Sequence, residues 1–201
     1  MSGSAIVGIL LAADRSSRFG TDKLLHPLPD GMPLAVRSGC NLLAALPRTL
    51  AVTRSGQQRL PELLRSHGLQ TVECATADKG IGTSLACGVT AAADAAGWVI
   101  GLADMPYVQP ETIGRIAAAL VDGATIAAPV FGGRRGNPVG FAQCYLHKLC
   151  RLSGDRGGRA ILAAEPNAVV LIDCEDSGVL RDIDTPSDLV AMDAAMQCNR
   201  L

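Results

Sequence analysis

Two cations and two separate sets of carboxylates are the residues of this chain best suited to chemistry. Arg18 and Lys23 follow an apolar run, residues 6–11, that ends in the small residues Ala12 and Ala13. Such a run suits a central strand buried on both faces. The loop after it places a guanidinium and an ammonium beside turn N–H groups, which together neutralise phosphate anions. The loop is neither G-x-x-x-x-G-K-[ST] nor G-x-G-x-x-G. Asp104, in Leu102-Ala103-Asp104-Met105-Pro106, stands just past a second apolar stretch and offers a hard oxygen ligand to a divalent cation. An Asx turn or a helix cap is the plainer reading of the same residue. Asp182 and Asp184 alternate, so an extended backbone turns both to one side, where two acids can share a metal. Asp184 or Thr185 ahead of Pro186 also reads as a helix N-cap, with Asp188 complementing the helix dipole. In Lys79-Gly80-Ile81-Gly82-Thr83-Ser84-Leu85, two glycines and two hydroxyls open a helix, which allows close approach to a ligand and equally serves as a cap. Arg135-Gly136-Asn137-Pro138 and Gly154-Asp155-Arg156-Gly157-Gly158-Arg159 are flexible and cationic, suited to an anionic acceptor or simply turns with solvated arginines.

The elements that must position these residues alternate along the chain. Strands are expected over 6–11, 49–53, 70–73, 98–102, 126–130 and 169–172, and helices over 33–46, 60–67, 83–96 and 110–121. The glycine-rich stretch 132–138 predicts a hairpin-like excursion, with 139–141 returning as an antiparallel strand. Helices are expected over 145–152 and 158–164, and a closing helix over 186–196. This rhythm predicts an α/β fold: a single Rossmann-like, doubly wound domain with a mainly parallel mixed sheet and helices on both faces. A nucleotide half over about 5–125 and an acceptor half over about 126–201 are expected. In such sheets ligands bind at the carboxyl ends of strands, where the Asp14–Lys23, Asp104 and Asp184 stretches all fall.

Composition narrows the partners. The 201 residues are 48% hydrophobic and 18% charged, enough for one buried core, and the net charge of -1 gives no basic field for nucleic acid. No secretory pattern opens the chain and no apolar run is long enough to span a bilayer, so the expectation is a cytoplasmic protein with no membrane partner. The seven cysteines form no C-x-x-C pair and are expected reduced, and the three histidines lack metal-ligand spacing.

The ordered segments resemble the molybdenum cofactor cytidylyltransferases, within the molybdopterin nucleotidyltransferase-like NTP transferases. Leu11-Ala12-Ala13-Asp14-Arg15-Ser16-Ser17-Arg18-Phe19-Gly20-Thr21-Asp22-Lys23 is similar to L-A-A-G-x-S-x-R-[MF]-G-x-x-K, with Asp14 where the family has Gly. Leu102 to Pro106, Asp182 to Asp188, Gly80 to Leu85, Arg135 to Val139 and Gly154 to Arg159 are similar to its other motifs, with Ala103 for Gly and Asn137 for His. The resemblance implies a nucleotide-diphospho-sugar transferase-like fold and a Mg²⁺-dependent transfer of CMP from CTP to molybdopterin or molybdenum-molybdopterin, giving the cytosine dinucleotide cofactor and pyrophosphate. It implies that Arg18, Lys23 and Asp104 are catalytic, with Asp104 and Asp184 on the metal. Leu11, Ala12, Ala13, Gly82, Thr83 and Ser84 would join Arg18 and Lys23 on the nucleotide, and Arg135, Asn137, Asp155 and Arg159 would meet a pterin-phosphate acceptor. The Gly80 to Leu85 segment favours CTP over GTP. A molybdenum-containing hydroxylase is the implied protein partner. Two other classes stand beside this one: a non-catalytic accessory protein that delivers the cofactor, and a nicotinamide-dependent oxidoreductase acting on a small aromatic compound.

Overall fold

A computed structural model of the chain describes residues 5–13, 22–185 and 188. The apolar run at the start becomes β1 (Ile6–Leu11), and its side chains alternate between two cores. Val7, Ile9 and Leu11 face one layer and Leu10 and Ala12 the other, as the two-residue period of a strand requires when both faces are covered. On either side β1 pairs in parallel with β2 (Thr49–Arg54) and β4 (Gly97–Leu102), and β3 (Gln70–Cys74) extends the sheet beyond β2. On the other side β4 meets β7 (Val139–Ala142) antiparallel, and β7 pairs antiparallel with β5 (Ile126–Phe131). A hairpin through Gly132 and Gly133, both at positive φ, joins β5 to β6 (Arg134–Arg135), and β8 (Val169–Asp173) lies parallel to β5. Among the described residues the eight strands form one sheet, ordered β3-β2-β1-β4-β7-β5-β6 with β8 on β5. This is the expected mixed, mainly parallel fold, with the antiparallel return at 139–141 in its predicted place.

Helices α1 (Leu34–Ala45), α2 (Arg59–Ser66) and α4 (Pro110–Val121) bury Leu42, Leu64 and Ile116 against one face. On the other face α3 (Ile81–Ala91), α5 (Leu146–Cys150) and α6 (Arg159–Ala164) bury Leu85, Leu149 and Ile161. Gly88 lets α3 settle directly on the sheet: a Cβ there would lie 2.7 Å from Val52 Cγ2 and 2.8 Å from Ile9 Cγ2. The expected helix over 83–96 starts at Ile81 and ends at Ala91, five residues short of its predicted end. The physical reason is Trp98, whose indole N–H donates to the Ala92 carbonyl at 2.9 Å and holds the chain in a turn before β4. The closing helix expected over 186–196 lies outside the described residues, apart from Asp188. Among the described residues no helix is long and apolar enough to cross a membrane.

Trp98 is fully buried among the side chains of the second core. Trp98→Ala is expected to cost about 3–5 kcal/mol, from lost burial, a cavity and the lost indole hydrogen bond to the Ala92 carbonyl, which keeps only the Ala95 N–H, read as a lower urea midpoint with unchanged slope.

Candidate active site

The carboxyl ends of β1 and β4 open on the same edge, and three distant segments meet there. Lys23 begins a single 3-10 turn (Lys23–Leu25) pinned by Leu24, which is buried in the core. Asp104 follows β4, where the Ala103 N–H bonds to the Leu11 carbonyl and a turn closes from Met105 N–H to the Leu102 carbonyl. Asp184 arrives on an extended segment anchored by Ile183, which is fully buried and donates its N–H to the Asp104 carbonyl at 2.9 Å. The Lys23 ammonium lies between the two acids, 3.1 Å from Asp104 Oδ2 and 3.0 Å from Asp184 Oδ1.

Lys23 is 2% exposed, whereas the Asp104 and Asp184 side chains are 22% and 51% exposed, so the acids keep a solvent-facing side. Burial works against the Lys23 charge, yet Asp104 and Asp184 more than offset it and hold the ammonium pKa above the ordinary lysine value. Burial pushes the Asp104 carboxyl above its ordinary range despite the pull of Lys23, and Asp182 adds like-charge repulsion. Two carboxylates drawn around one cation are a hard-oxygen donor pair, which fits Mg²⁺ held by one or two carboxylates with substrate phosphates completing the shell. Among the described residues no group of three or more acids, histidines or cysteines could hold a metal by itself.

Beside this triad lie two adjoining cavities. One, of about 300 Å³, is lined by Leu11, Ala13, Ser84 and Asp104, and the other, of about 320 Å³, by Phe141, Leu162, Asn137, Arg156 and Arg159. Leu11, Ile81, Leu102 and Asp155 line both, so the two spaces share a wall. Gly80, at φ +116°, and Gly82 admit the 154–157 loop against the first turn of α3; a Cβ on Gly82 would stand 2.9 Å from the Gly154 carbonyl oxygen.

The structure therefore lines one cleft with Leu11, Ala13, Ser84 and Asp104, and sets Lys23 against Asp104 and Asp184 without Lys23 or Asp184 lining it. It places Asn137 and Arg159 in the cavity beside it, and puts Asp155 on the wall between the two. Ala12 is buried in the core with its N–H on the Val52 carbonyl, and Thr83 keeps an enclosed Oγ1 with no hydrogen-bond partner. Arg135 is exposed on β6 and lines neither cavity. Arg18 and Asp14 lie outside the described residues. The sequence alone reads Asp188 as an ordinary helix residue; its Oδ2 accepts from the Asp184 N–H, the Thr185 N–H and the Thr185 hydroxyl, so it fixes the turn that presents Asp184. The Thr185 amide bond is the main reason its carboxyl lies below the ordinary range. The four-residue spacing from Asp184 to Asp188 is the signal that could have found it.

Residues 8–169 match the model of the MobA-like NTP transferase domain. Over 208 residues the chain is 29% identical to the purine catabolism protein PucB of Bacillus subtilis (strain 168), covering 98% of this chain and all of that protein. It is 26% identical over 189 residues to the nicotine blue oxidoreductase of Paenarthrobacter nicotinovorans, covering 90% and 92% of the two chains. Among solved structures, a nucleotidyl transferase from Methanothermobacter thermautotroptrophicus shares the fold with a TM-score of 0.82 at 24% identity, over 98% of this chain and all of that one. With Lys23, the β4-end acid Asp104, Asp184 on its extended segment and a glycine-rich helix start at one edge of the sheet, and residues 8–169 matched, the chain belongs to the MobA-like NTP transferase family.

Proposed function

We propose that this NTP transferase moves CMP from CTP to the phosphate of molybdopterin or its molybdenum-loaded form. One observation carries the reading: Lys23, Asp104 and Asp184, from three distant parts of the chain, converge beside two cavities that share a wall. In that arrangement the 300 Å³ cavity takes the nucleotide and the 320 Å³ cavity takes the acceptor. A pterin-phosphate oxygen attacks the α-phosphorus of CTP, a new P–O bond forms, the bond to the β-phosphate oxygen breaks, and pyrophosphate leaves with the electron pair. The nucleophile is already an anion near neutral pH, so positioning and charge neutralisation suffice without a strong general base.

Lys23 and Arg18 neutralise the β- and γ-phosphates, and Ser84, with Gly82 and Thr83, meets the nucleoside. Leu11 and Ala13 form the surface on which the nucleotide lies. Asp104 and Asp184 hold Mg²⁺, which supplies positive charge at the phosphate oxygens when bound. Asn137 and Arg159 hold the acceptor from the far side of Asp155, and the apolar wall with Phe141 suits a flat ring carrying an anionic tail. A molybdenum-containing hydroxylase is the proposed recipient of the product.

Turnover of α-labelled CTP with a pterin-phosphate acceptor tests the reading. Wild type is expected to place the label on the acceptor and release one pyrophosphate per transfer, with GTP a poor substitute. Label that stays on CTP in wild type but moves in Asp14→Gly overturns the proposal for this chain. The similarity to a nicotine blue oxidoreductase favours a second reading, reduction of a small aromatic compound. Nicotinamide cofactor consumed with such a compound and without CTP would replace the first with the second.

A further inference from the structure

Between β8 and Asp184 the chain forms a strap over 176–184 that touches both cavities' supporting loops, and Asp176 is where it is fastened. Asp176 Oδ2 accepts from the Gln109 N–H at 2.8 Å and the Thr112 hydroxyl at 2.9 Å, both at the start of α4, while Oδ1 accepts from the Gly178 N–H at 2.9 Å. Gln109, the N-cap of α4, makes no side-chain cap bond, so the cap is supplied from 67 residues away. Past this point the strap is clamped on two sides. A Cβ on Gly178 would lie 2.2 Å from the Tyr107 carbonyl oxygen, and one on Gly136 would lie 2.3 Å from the Val179 carbonyl oxygen. The Val179 carbonyl accepts from the Asn137 N–H at 2.9 Å, and the Ile183 N–H donates to the Asp104 carbonyl at 2.9 Å. Val179 and Ile183 are both fully buried, so the strap cannot slide without emptying two core positions.

The geometry points to Asp176 as a positioning residue for the reaction: by fastening the strap to α4 it sets where Asp184 stands against Asp104 and where Asn137 stands in the acceptor cavity. This inference rests on the reading of Asp104 and Asp184 as the metal-side carboxylates. Only a carboxylate offers acceptors on both oxygens; an asparagine would turn an N–H₂ toward one of the three donors. Supporting residues behind metal ligands typically change metal affinity by about 10- to 100-fold when removed.

Asp176→Asn tests it on the full chain with two readouts other than turnover. Equilibrium dialysis of labelled CTP across a Mn²⁺ titration is expected to show the half-saturating Mn²⁺ raised about tenfold or more, while metal-free CTP binding stays near wild type. Hydrogen exchange is expected to quicken at the Ile183 and Asn137 amides. Should that variant be too unstable to titrate, Thr112→Val removes one donor and leaves both backbone amides on the carboxylate, with an expected rise of about threefold in the same Mn²⁺ midpoint. A lower melting temperature with an unchanged Mn²⁺ midpoint would make Asp176 a cap of α4 and nothing more, and would overturn the inference alone. Wild type that does not bind CTP in a Mn²⁺-dependent way would overturn the parent reading and this inference with it.

Discussion

Lys23→Met is expected to lower nucleotidyl transfer by a factor of about 10²–10³ and to lower the stability of the free protein at the same time. The transfer loss follows from the proposed role of the ammonium, which bonds Asp104 at the wall of the 300 Å³ cavity and there meets the charge that builds on the β-phosphate as the bond to it breaks. The stability loss follows from burial. Lys23 is 2% exposed and bonds both Asp104 and Asp184, so methionine leaves two like charges facing each other without a cation. Breaking such a pair costs about 3 kcal/mol, the low end of the usual range because the Asp184 side chain is half exposed and solvent screens it. The two effects separate in one experiment. Adding Mn²⁺ alone is expected to raise the melting temperature of Lys23→Met more than that of wild type, because a cation entering between the acids restores what methionine removed. Transfer is expected to stay low under the same conditions. A variant as stable and as active as wild type would remove Lys23 from the site.

The parts of this arrangement that are legible in the sequence are those with a local signature. The run at 6–11 declares a doubly buried strand, and the cations after it declare a ligand loop, because a plain turn would need only Gly, Asn or Asp. Asp104 is legible as a strand-end acid, and the carboxyl-end rule for parallel sheets is enough to expect it at the ligand edge; Asp184 reaches the same edge on the strap after the Ser177–Leu180 turn and not on a strand end. The family follows from several such segments in order, and residues 8–169 bear it out. The antiparallel return at β7 is likewise announced by Gly132 and Gly133, which the turn uses at positive φ.

What escapes a reading of the sequence is long-range or depends on a single neighbour. Nothing in the periodicity of 83–96 marks Ala92 as the place where α3 must stop, because the cause is an indole six residues further on reaching back to its carbonyl. The strap over 176–184 has no repeating pattern, and its fastening by Asp176 to Gln109 and Thr112 spans more than 60 residues, so it leaves no trace in local spacing. Asp188 has a spacing signal that the helix dipole alone also accounts for; in the structure its carboxylate serves the backbone of Asp184 and Thr185. Ala12 pairs with Ala13 as a ligand-facing residue on size alone, but the pleat turns successive residues to opposite faces, and Ala12 falls to the core side.

Asp104→Asn offers the sharper contrast with Lys23→Met: transfer is expected to fall by about 10²–10³ with little change in stability. Burial already holds the Asp104 carboxyl above its ordinary range, which means that the folded environment disfavours its charge on balance. The sign is the reverse of a usual salt-bridged aspartate. A carboxyl with a raised folded pKa stabilises the fold most when pH lies below its ordinary value, and that contribution is lost as pH rises through the raised one. A neutral isostere therefore forfeits nothing at neutral pH, and the oxygen of the introduced amide can still accept from Lys23. Urea unfolding at neutral pH is expected to differ from wild type by no more than about 1 kcal/mol. Followed across pH, the stability of wild type relative to Asp104→Asn is expected to fall as pH climbs from the ordinary aspartate value through the raised one, while the lowered carboxyls of Asp94, Glu165 and Asp188 act equally in both proteins and cancel in that difference. For catalysis the charge is what matters: amide oxygen is a weaker ligand for a hard cation than carboxylate, so the half-saturating Mg²⁺ is expected to rise together with the fall in transfer. An Asp104→Asn variant that transfers CMP at the wild-type rate and Mg²⁺ midpoint would leave Asp104 as the turn residue that its sequence context first allowed.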